Sequence, residues 1–408
     1  MSLPIFRLWY HFYNHLETRR QVRIHLLLIR LIFGGFCAGL SVLTVVKAPI
    51  SLLWLSALGV TEWGHWLAPL ALLTWLPGWR QSHIGRIGAW LGLAAALMLL
   101  SPLFRAAVLV QAWPDELPPF VRNAVPRSAA AAPPRPAPIV LADLLRGVSS
   151  SDVSMRTVVY ATRGDQPLSL DLYQAAGATQ APGIIVVHGG SWQHGDRAEL
   201  PALNRYLAAR GYVVAAVSYR FAPRWPFPAA RDDAREAVAF LKAHAGEYGL
   251  DPHRLVLLGR SAGGQIALSL AYAGSDPDIR GVVALYAPAD MIYGYEHPSN
   301  PRVLDSSGIL EAYLGGNPSQ APAAYEEASP IRFVSPATVP TLLVHGGRDE
   351  LVFPAQSERL ATRLVQAQRT HYFLRLPWAT HGCDANFNGP CGQVSTYIIE
   401  RFLAAVSR

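Results

Sequence analysis

From residue 155 onward, short apolar runs alternate with amphipathic segments, and that rhythm leaves few architectures open. Runs of this length are too short for helices that bury themselves all round, and their alternation with helical periodicity marks a mostly parallel sheet covered by helices on its faces. The strands are expected at Arg156 to Ala161, Leu168 to Tyr173, Gly183 to Val187, Tyr212 to Ser218, Leu255 to Leu258, Gly281 to Tyr286, Thr341 to Val344 and Tyr372 to Leu376, eight in all. Helices fit at Leu200 to Arg210, Ala229 to Tyr248, Ala262 to Ala273, Ala355 to Gln368 and Gln393 to Val406. The stretch from Met291 to Ser329 breaks the rhythm and is rich in Pro, Gly and Tyr, so a small cap is expected near 291–329 within a domain spanning 151–408.

The first 112 residues read differently. Charged residues are only 15% of the chain and apolar residues 51%, and the apolar excess is concentrated before about residue 113. Ile24 to Val46 follows the basic cluster Arg19, Arg20 and Arg23, and is too long and too uniformly apolar for a signal peptide core. A second stretch, within 50–76, is interrupted by Thr61-Glu62-Trp63-Gly64-His65. A single helix through it would place Glu62 near mid-bilayer at a cost on the order of 3 kcal/mol, so two shorter re-entrant or interfacial pieces compete with one span. A third stretch, 87–104, is bracketed by Arg86 and Arg105.

Three spans, at about 24–46, 50–76 and 87–104, are therefore expected in an all-α transmembrane region covering 1–112. The arginines around Arg80 to Arg86 outweigh the lone Lys47 turn, which puts the N-terminus in the cytoplasm and the large domain outside, as in a bacterial inner membrane. That orientation depends on the number of spans. Residues 113–150, with four prolines between Ala129 and Pro138, read as an extended spacer holding the next domain off the membrane. The net charge of +7 comes from scattered arginines without a basic run interleaved with aromatics, which argues against nucleic acid and for a lipid bilayer as partner.

In open sheets of this kind, chemistry gathers in loops beyond the carboxyl ends of the strands. Three such loops carry suitable residues. Gly259-Arg260-Ser261-Ala262-Gly263 sits where an apolar strand gives way to a helix, so the glycines permit a strained turn that exposes the Ser261 hydroxyl. Asp349 lies in the glycine-rich loop after the strand ending at Val344, and His381 lies just past the strand ending near Leu376. A serine needs a base to take its proton, an imidazole needs a carboxylate to orient it, and a tetrahedral oxyanion needs N–H donors. Ser261, Asp349 and His381 are thus the expected nucleophile, acid and base. Glu350, Asp290, His345 and His371 are the alternatives for the acid and base. His188-Gly189-Gly190-Ser191-Trp192 follows another strand, and Gly189, Gly190, Ser191 and Ala262 are expected to build the oxyanion hole. His188, Trp192, Arg260 and Asp290 are expected around the substrate pocket.

With His188 to Trp192, Ser218-Tyr219-Arg220-Phe221-Ala222-Pro223, Phe227 to Ala230, Asp232-Asp233, Asp251 to Arg254 leading into Gly259 to Gly264, then Asp349 and His381, the chain resembles the α/β-hydrolase superfamily over residues 155 to 406. More narrowly it resembles the esterase group related to hormone-sensitive lipase and the BD-FAE-type carboxylesterases. The resemblance implies hydrolysis of small-molecule carboxylic esters through an acyl-Ser261 intermediate, without metal or cofactor. Ser191 stands where the lipase-like subgroup usually has a third glycine. His-Gly-Gly-x-Trp is similar to kynurenine formamidases as well, and residues 346 to 356 resemble prolyl-oligopeptidase-type hydrolases, so a peptidase or amidase/formamidase is the alternative. A non-catalytic membrane sensor or accessory protein with a ligand-binding hydrolase-like domain is the second alternative.

Of the three cysteines, Cys37 falls inside the first apolar stretch, while Cys383 and Cys391 lie in the segment following His381. Joined, the latter two would stabilise the fold by roughly 2.5 kcal/mol on the chain-entropy model, and such a bond persists only in an oxidising compartment. Two buried free thiols are the competing expectation.

Overall fold

The computed structural model describes residues 25–127, 132–148, 153–274 and 276–408, leaving out the side chain of Gln81. Arg19, Arg20, Arg23, Ile24 and Ala129 to Ala131 lie outside the described residues. The chain divides into two compact units: Met1–Val46 with Gly59–Phe104, and Lys47–Leu58 with Arg105–Arg408.

In the first unit, a helix at His25–Val42 and the longer His83–Gln111, which runs on past the unit boundary, are long and apolar enough to cross a membrane. The second apolar stretch does not form the single helix expected. It folds as Ser51–Glu62 and Gly64–Ala71, followed by a 3₁₀ turn at Leu72–Trp75. The break falls at Trp63, beside the interruption in the sequence, and Glu62 is buried. Glycine sets the close approach of these helices, because a Cβ at Gly34 would lie 2.5 Å from the Gly88 carbonyl oxygen and one at Gly64 would lie 2.2 Å from that of Leu99. Arg30, the one charge well inside the first stretch, donates from Nη2 to the Leu76 carbonyl at 3.1 Å. Apolar side chains face outward, Ile32 being 70% exposed and Phe104 71%.

The second unit is built on an eight-stranded sheet: β1 (Val153–Arg163), β2 (Gln166–Ala175), β3 (Ala181–Val187), β4 (Val213–Val217), β5 (Leu250–Arg260), β6 (Ile279–Leu285), β7 (Thr341–Gly346) and β8 (His371–Leu376). Their spatial order is β1-β2-β4-β3-β5-β6-β7-β8, and only β2 runs against the rest. β3, β4 and β7 are buried along their whole length, as strands sandwiched between helical layers must be. One face packs under the helices Ala229–Ala243 and Ala262–Ala273 through Ala234, Val238, Ile266 and Leu270. The other packs under Pro201–Ala208 and Pro390–Val406 through Leu207, Val394, Ile398 and Phe402.

The segment expected as a spacer is instead largely packed on that second face. Trp113, Leu117 and Val121 are buried in its core, and Trp113 stacks on Tyr397 with ring centroids 5.7 Å apart. Further along, Arg135 pairs with Asp143 at 2.7 Å while its N–H donates to Glu400. Proline composition reads as extension, but the apolar side chains between the prolines have a core to join. Residues 291–327 fold as three short helices, Met291–Glu296, Ser306–Leu314 and Pro322–Glu327, set into the connection between β6 and β7.

Candidate active site

β5 ends at Arg260 and the next helix begins at Ala262, so Ser261 alone makes the turn. Its backbone sits at φ 51° and ψ −122°, a conformation that costs of order 1–3 kcal/mol and persists only where the surroundings enforce it. Both flanking glycines are required. A Cβ at Gly259 would lie 2.2 Å from the Gly263 carbonyl oxygen, and one at Gly263 2.2 Å from that of His188. Ser261 N–H donates to the Leu285 carbonyl at 2.9 Å, which pins the turn to β6.

Ser261, His381 and Asp349, separated by up to 120 residues, meet at this turn. Ser261 Oγ is 2.9 Å from His381 Nε2, and His381 Nδ1 is 2.7 Å from Asp349 Oδ2. Asp349 is fully buried, and its Oδ1 accepts the N–H groups of Leu351 and Val352, each at 2.9 Å. Burial by itself raises a carboxyl pKa, but the charge of His381 and the hydrogen bonds from His345 and His381 outweigh it and hold Asp349 well below the usual carboxylate range. The carboxylate is therefore ionised where it faces the imidazole.

His345, weighed as a candidate base, occupies a supporting place. Its Nε2 lies 3.2 Å from Asp349 Oδ2 and 2.9 Å from the Val352 carbonyl, while Nδ1 is 2.7 Å from Ser357 Oγ. Glu350 turns away from His381 and accepts the Ala48 N–H at 3.2 Å. His371 opens β8, at the strand end opposite the one leading to His381.

Of the residues expected at the oxyanion hole, Ser191 and Ala262 line the cleft with Ser261 and His381. Gly189 and Gly190 do not line it. Gly190 has φ +113°, and a Cβ there would lie 1.9 Å from the His194 carbonyl oxygen, so this bend admits glycine alone. Ser191 and Trp192 continue it at φ 55° and 58°.

The cleft is walled by apolar side chains, among them Met291, Leu304, Ile309, Leu310, Leu351 and Phe353. Trp192 borders it and is fixed from behind, stacking on Tyr313 at 4.2 Å and donating from Nε1 to Gln265 Oε1 at 2.9 Å. Asp290 also borders it, while accepting the Tyr293 N–H and pairing with Arg359 at 2.7 Å. His188 and Arg260 do not line this cleft, contrary to expectation. His188 is buried behind the loop, stacked on Tyr219, with Nδ1 donating to the Gly189 carbonyl. Arg260 precedes the serine on a strand whose side chains alternate, so it points away from the cleft and pairs with Asp384. Cys383 and Cys391 are joined in a disulfide with Cα atoms 5.7 Å apart. Among the described residues, no group of three or more His, Cys, Asp or Glu is placed to hold a metal ion.

The family model for BD-FAE domains matches residues 170–364, which include Ser261 and Asp349. The matched residues, somewhat under half of the chain, are similar to BD-FAE domains of the α/β-hydrolase type. Esterase LipC of Mycobacterium tuberculosis is 30% identical to the chain over 274 residues, 63% of the chain and 66% of the relative. The probable carboxylic ester hydrolase LipM of the same organism is 30% identical over 241 residues, 55% of the chain and 54% of the relative. The chain thus spans between about half and two thirds of the length of these curated relatives, 54% and 66%. A bacterial heroin esterase shares the fold at a TM-score of 0.56 with 22% identity, over 66% of this chain and 89% of its own.

Sequence reasoning missed Tyr286 and Asp384. Tyr286 packs edge-on to His381 with ring centroids 4.6 Å apart, and its hydroxyl donates to Asp384. Tyr286 sits at the end of β6, where strand-end position was a usable signal. Asp384 carried none, because its partner is 124 residues away.

Proposed function

We propose that this chain is a membrane-anchored serine hydrolase that cleaves carboxylic esters through an acyl-Ser261 intermediate. The observation that carries the reading is the continuous hydrogen-bonded relay from Ser261 through His381 to Asp349 at the edge of an apolar cleft. Ser261 Oγ attacks the ester carbonyl carbon as His381 Nε2 takes its proton, and the oxyanion faces the N–H groups of Ser191 and Ala262. The carbon–oxygen bond to the alcohol then breaks and His381 returns the proton to the leaving alkoxide. Water, deprotonated by the same imidazole, attacks the acyl carbon, the bond to Ser261 Oγ breaks, and His381 returns the proton to Oγ as the carboxylic acid leaves.

The relatives, named an esterase and a probable carboxylic ester hydrolase, support ester over amide substrates. Two long apolar helices with outward-facing side chains support the anchor, and the disulfide beside His381 supports an oxidising, extracytoplasmic setting. The reading is tested by fluorophosphonate labelling and p-nitrophenyl ester turnover of the full-length protein in detergent, with aminoacyl-amide and formamide substrates in parallel. Labelling of Ser261 with ester turnover supports it. Turnover of amides alone moves the chain to the amidase class, and a folded protein that takes no label is a ligand-binding domain. Reporter fusions at the C-terminus that are active only in the cytoplasm would overturn the placement.

A further inference from the structure

The residue before Ser261 and the residue three after His381 form a buried ion pair that the relay does not use. Arg260 Nε donates to Asp384 Oδ2 at 2.5 Å, and both side chains are less than a tenth exposed. Asp384 Oδ1 accepts the Tyr286 hydroxyl, and the Tyr286 ring is the surface against which His381 packs. Tyr286 itself is held at φ 42°, with its N–H donating to the Val344 carbonyl at 2.6 Å, so its ring has little freedom to follow a moving imidazole. Asp384 is held too. It follows Cys383, whose disulfide to Cys391 ties the His381 loop to the start of the helix Pro390–Val406.

The charges make this more than packing. Burial works to lower the Arg260 pKa, but Asp384 and then Tyr286 outweigh it, so the guanidinium stays charged one residue from the nucleophile. Burial, reinforced by Asp384, raises Tyr286 well above its ordinary value, so its hydroxyl stays protonated and donates. The groups that face His381 are Ser261 from the turn, Asp349 backed by His345 from the β7 loop, and Tyr286 from β6, with Arg260 and Asp384 behind Tyr286. When His381 takes the serine proton, a second positive charge arises that is linked to Arg260 through Tyr286 and Asp384. Asp384 is the carboxylate that neutralises the first.

We propose that Asp384, locked in place by the Cys383–Cys391 disulfide, is a positioning residue for Ser261 and His381 that cancels the charge of Arg260 and anchors the Tyr286 ring. The inference rests on the esterase reading above. Its test is steady-state kinetics on p-nitrophenyl esters from pH 5 to 9, using full-length protein in detergent. Asp384→Asn keeps the shape and leaves Arg260 unbalanced, so kcat falls about tenfold or more while KM stays within about twofold. The acidic limb of kcat/KM moves to lower pH, because an unbalanced guanidinium disfavours the imidazolium. Arg260→Met/Asp384→Leu, which removes both charges, returns the limb to its wild-type position, a restoration that a purely structural role would not produce. Tyr286→Phe lowers kcat severalfold without moving the limb. Should Asp384→Asn not fold, Cys383→Ser/Cys391→Ser reads the same positioning and lowers kcat severalfold at unchanged KM. Wild-type kcat and an unmoved limb in Asp384→Asn overturn the proposal, as does a limb in the double variant that matches the single one. Wild-type protein that turns over no ester removes the esterase reading itself, whereas wild-type turnover with unaltered variants removes the positioning role alone.

Discussion

His381 Nε2 lies 2.9 Å from Ser261 Oγ although the two residues are 120 apart in sequence, because β5 and β8 end on the same edge of one sheet. The contact has the length of an ordinary hydrogen bond, which suits the proton transfer proposed for this serine. Ser261→Ala and His381→Ala are each expected to reduce kcat on p-nitrophenyl butyrate by about 10⁴-fold or more, and the double variant to lose little beyond either single one, since the two act as a unit. Circular dichroism of each variant checks that the fold survives. Additive losses would show that the two residues act separately.

The eight strands were legible because buried parallel strands read as short apolar runs, and Ser261, Asp349 and His381 were legible because each follows one of those runs directly. What escaped was set by contacts between residues distant in sequence. Arg260 adjoins Ser261 and His188 lies three residues before Ser191, yet neither Arg260 nor His188 borders the cleft that these serines line, and for Arg260 one position along the strand decides it. The run from Trp113 to Val121 reads as linker by its prolines, while its fate is decided by Tyr397 and Phe402 on the last helix. The break at Trp63 was half visible, since Glu62 marked where an uninterrupted span would be costly.

His345 supports Asp349 beside His381, both imidazoles sharing the Oδ2 atom. His345→Phe fills similar space but withdraws the hydrogen bond, leaving Asp349 with one fewer donor and more freedom to turn. A fall in kcat of about tenfold is expected, far less than for Asp349→Ala, with KM unchanged. A pH profile of kcat/KM for the two variants distinguishes a loosened carboxylate from an absent one.

Gly190 bends the loop proposed to build the oxyanion hole, and its close approach to the His194 carbonyl leaves no room for a side chain. Gly190→Ala must open the 190–194 turn and swing the Ser191 N–H out of line. Loss of one oxyanion donor costs about 100-fold or more in kcat, and that is the expected result, with KM little changed. Fluorophosphonate labelling rates report the same loss, since the probe also builds negative charge on an oxygen in this position.

Acid stability carries the signature of His188. Burial pushes its pKa down from 6.5 to about 4, so between those values the unfolded chain binds a proton that the folded one does not. The stability this group contributes is complete above about pH 6.5 and is lost as the pH falls toward about 4, to a total of about 3 kcal/mol. Asp349 acts in a lower window, since its depressed pKa contributes stability that is lost only below the ordinary carboxylate range. Thermal melts from pH 4 to 8 should therefore show Tm falling on acidification. His188→Gln, which cannot titrate, should flatten the curve between about pH 6.5 and 4.

The segment Lys47–Leu58 belongs to the same compact unit as the hydrolase sheet, although in sequence it lies between two apolar helices. Ala48 N–H donates to Glu350 at 3.2 Å, Asn300 Nδ2 donates to the Pro49 carbonyl at 3.1 Å, and Ser51 N–H donates to the Arg302 carbonyl at 3.1 Å. Lys47 adds a cation–π contact, its ammonium 5.4 Å from the centroid of the Phe353 ring. The segment therefore bridges the Glu350–Phe353 loop to the cap-side loop around residue 300, and both contribute to the cleft through Ser299, Leu351, Val352 and Phe353. Glu350→Ala cuts the bridge at its hydrolase end without touching the Leu351 and Val352 N–H groups that hold Asp349. The apolar wall should loosen while the relay stays intact. KM for octanoyl esters is then expected to rise severalfold, with kcat on acetyl esters within about twofold of wild type. A chain-length panel measures this, and an equal loss on acetyl and octanoyl esters would place the effect of Glu350 on Asp349 rather than on the wall.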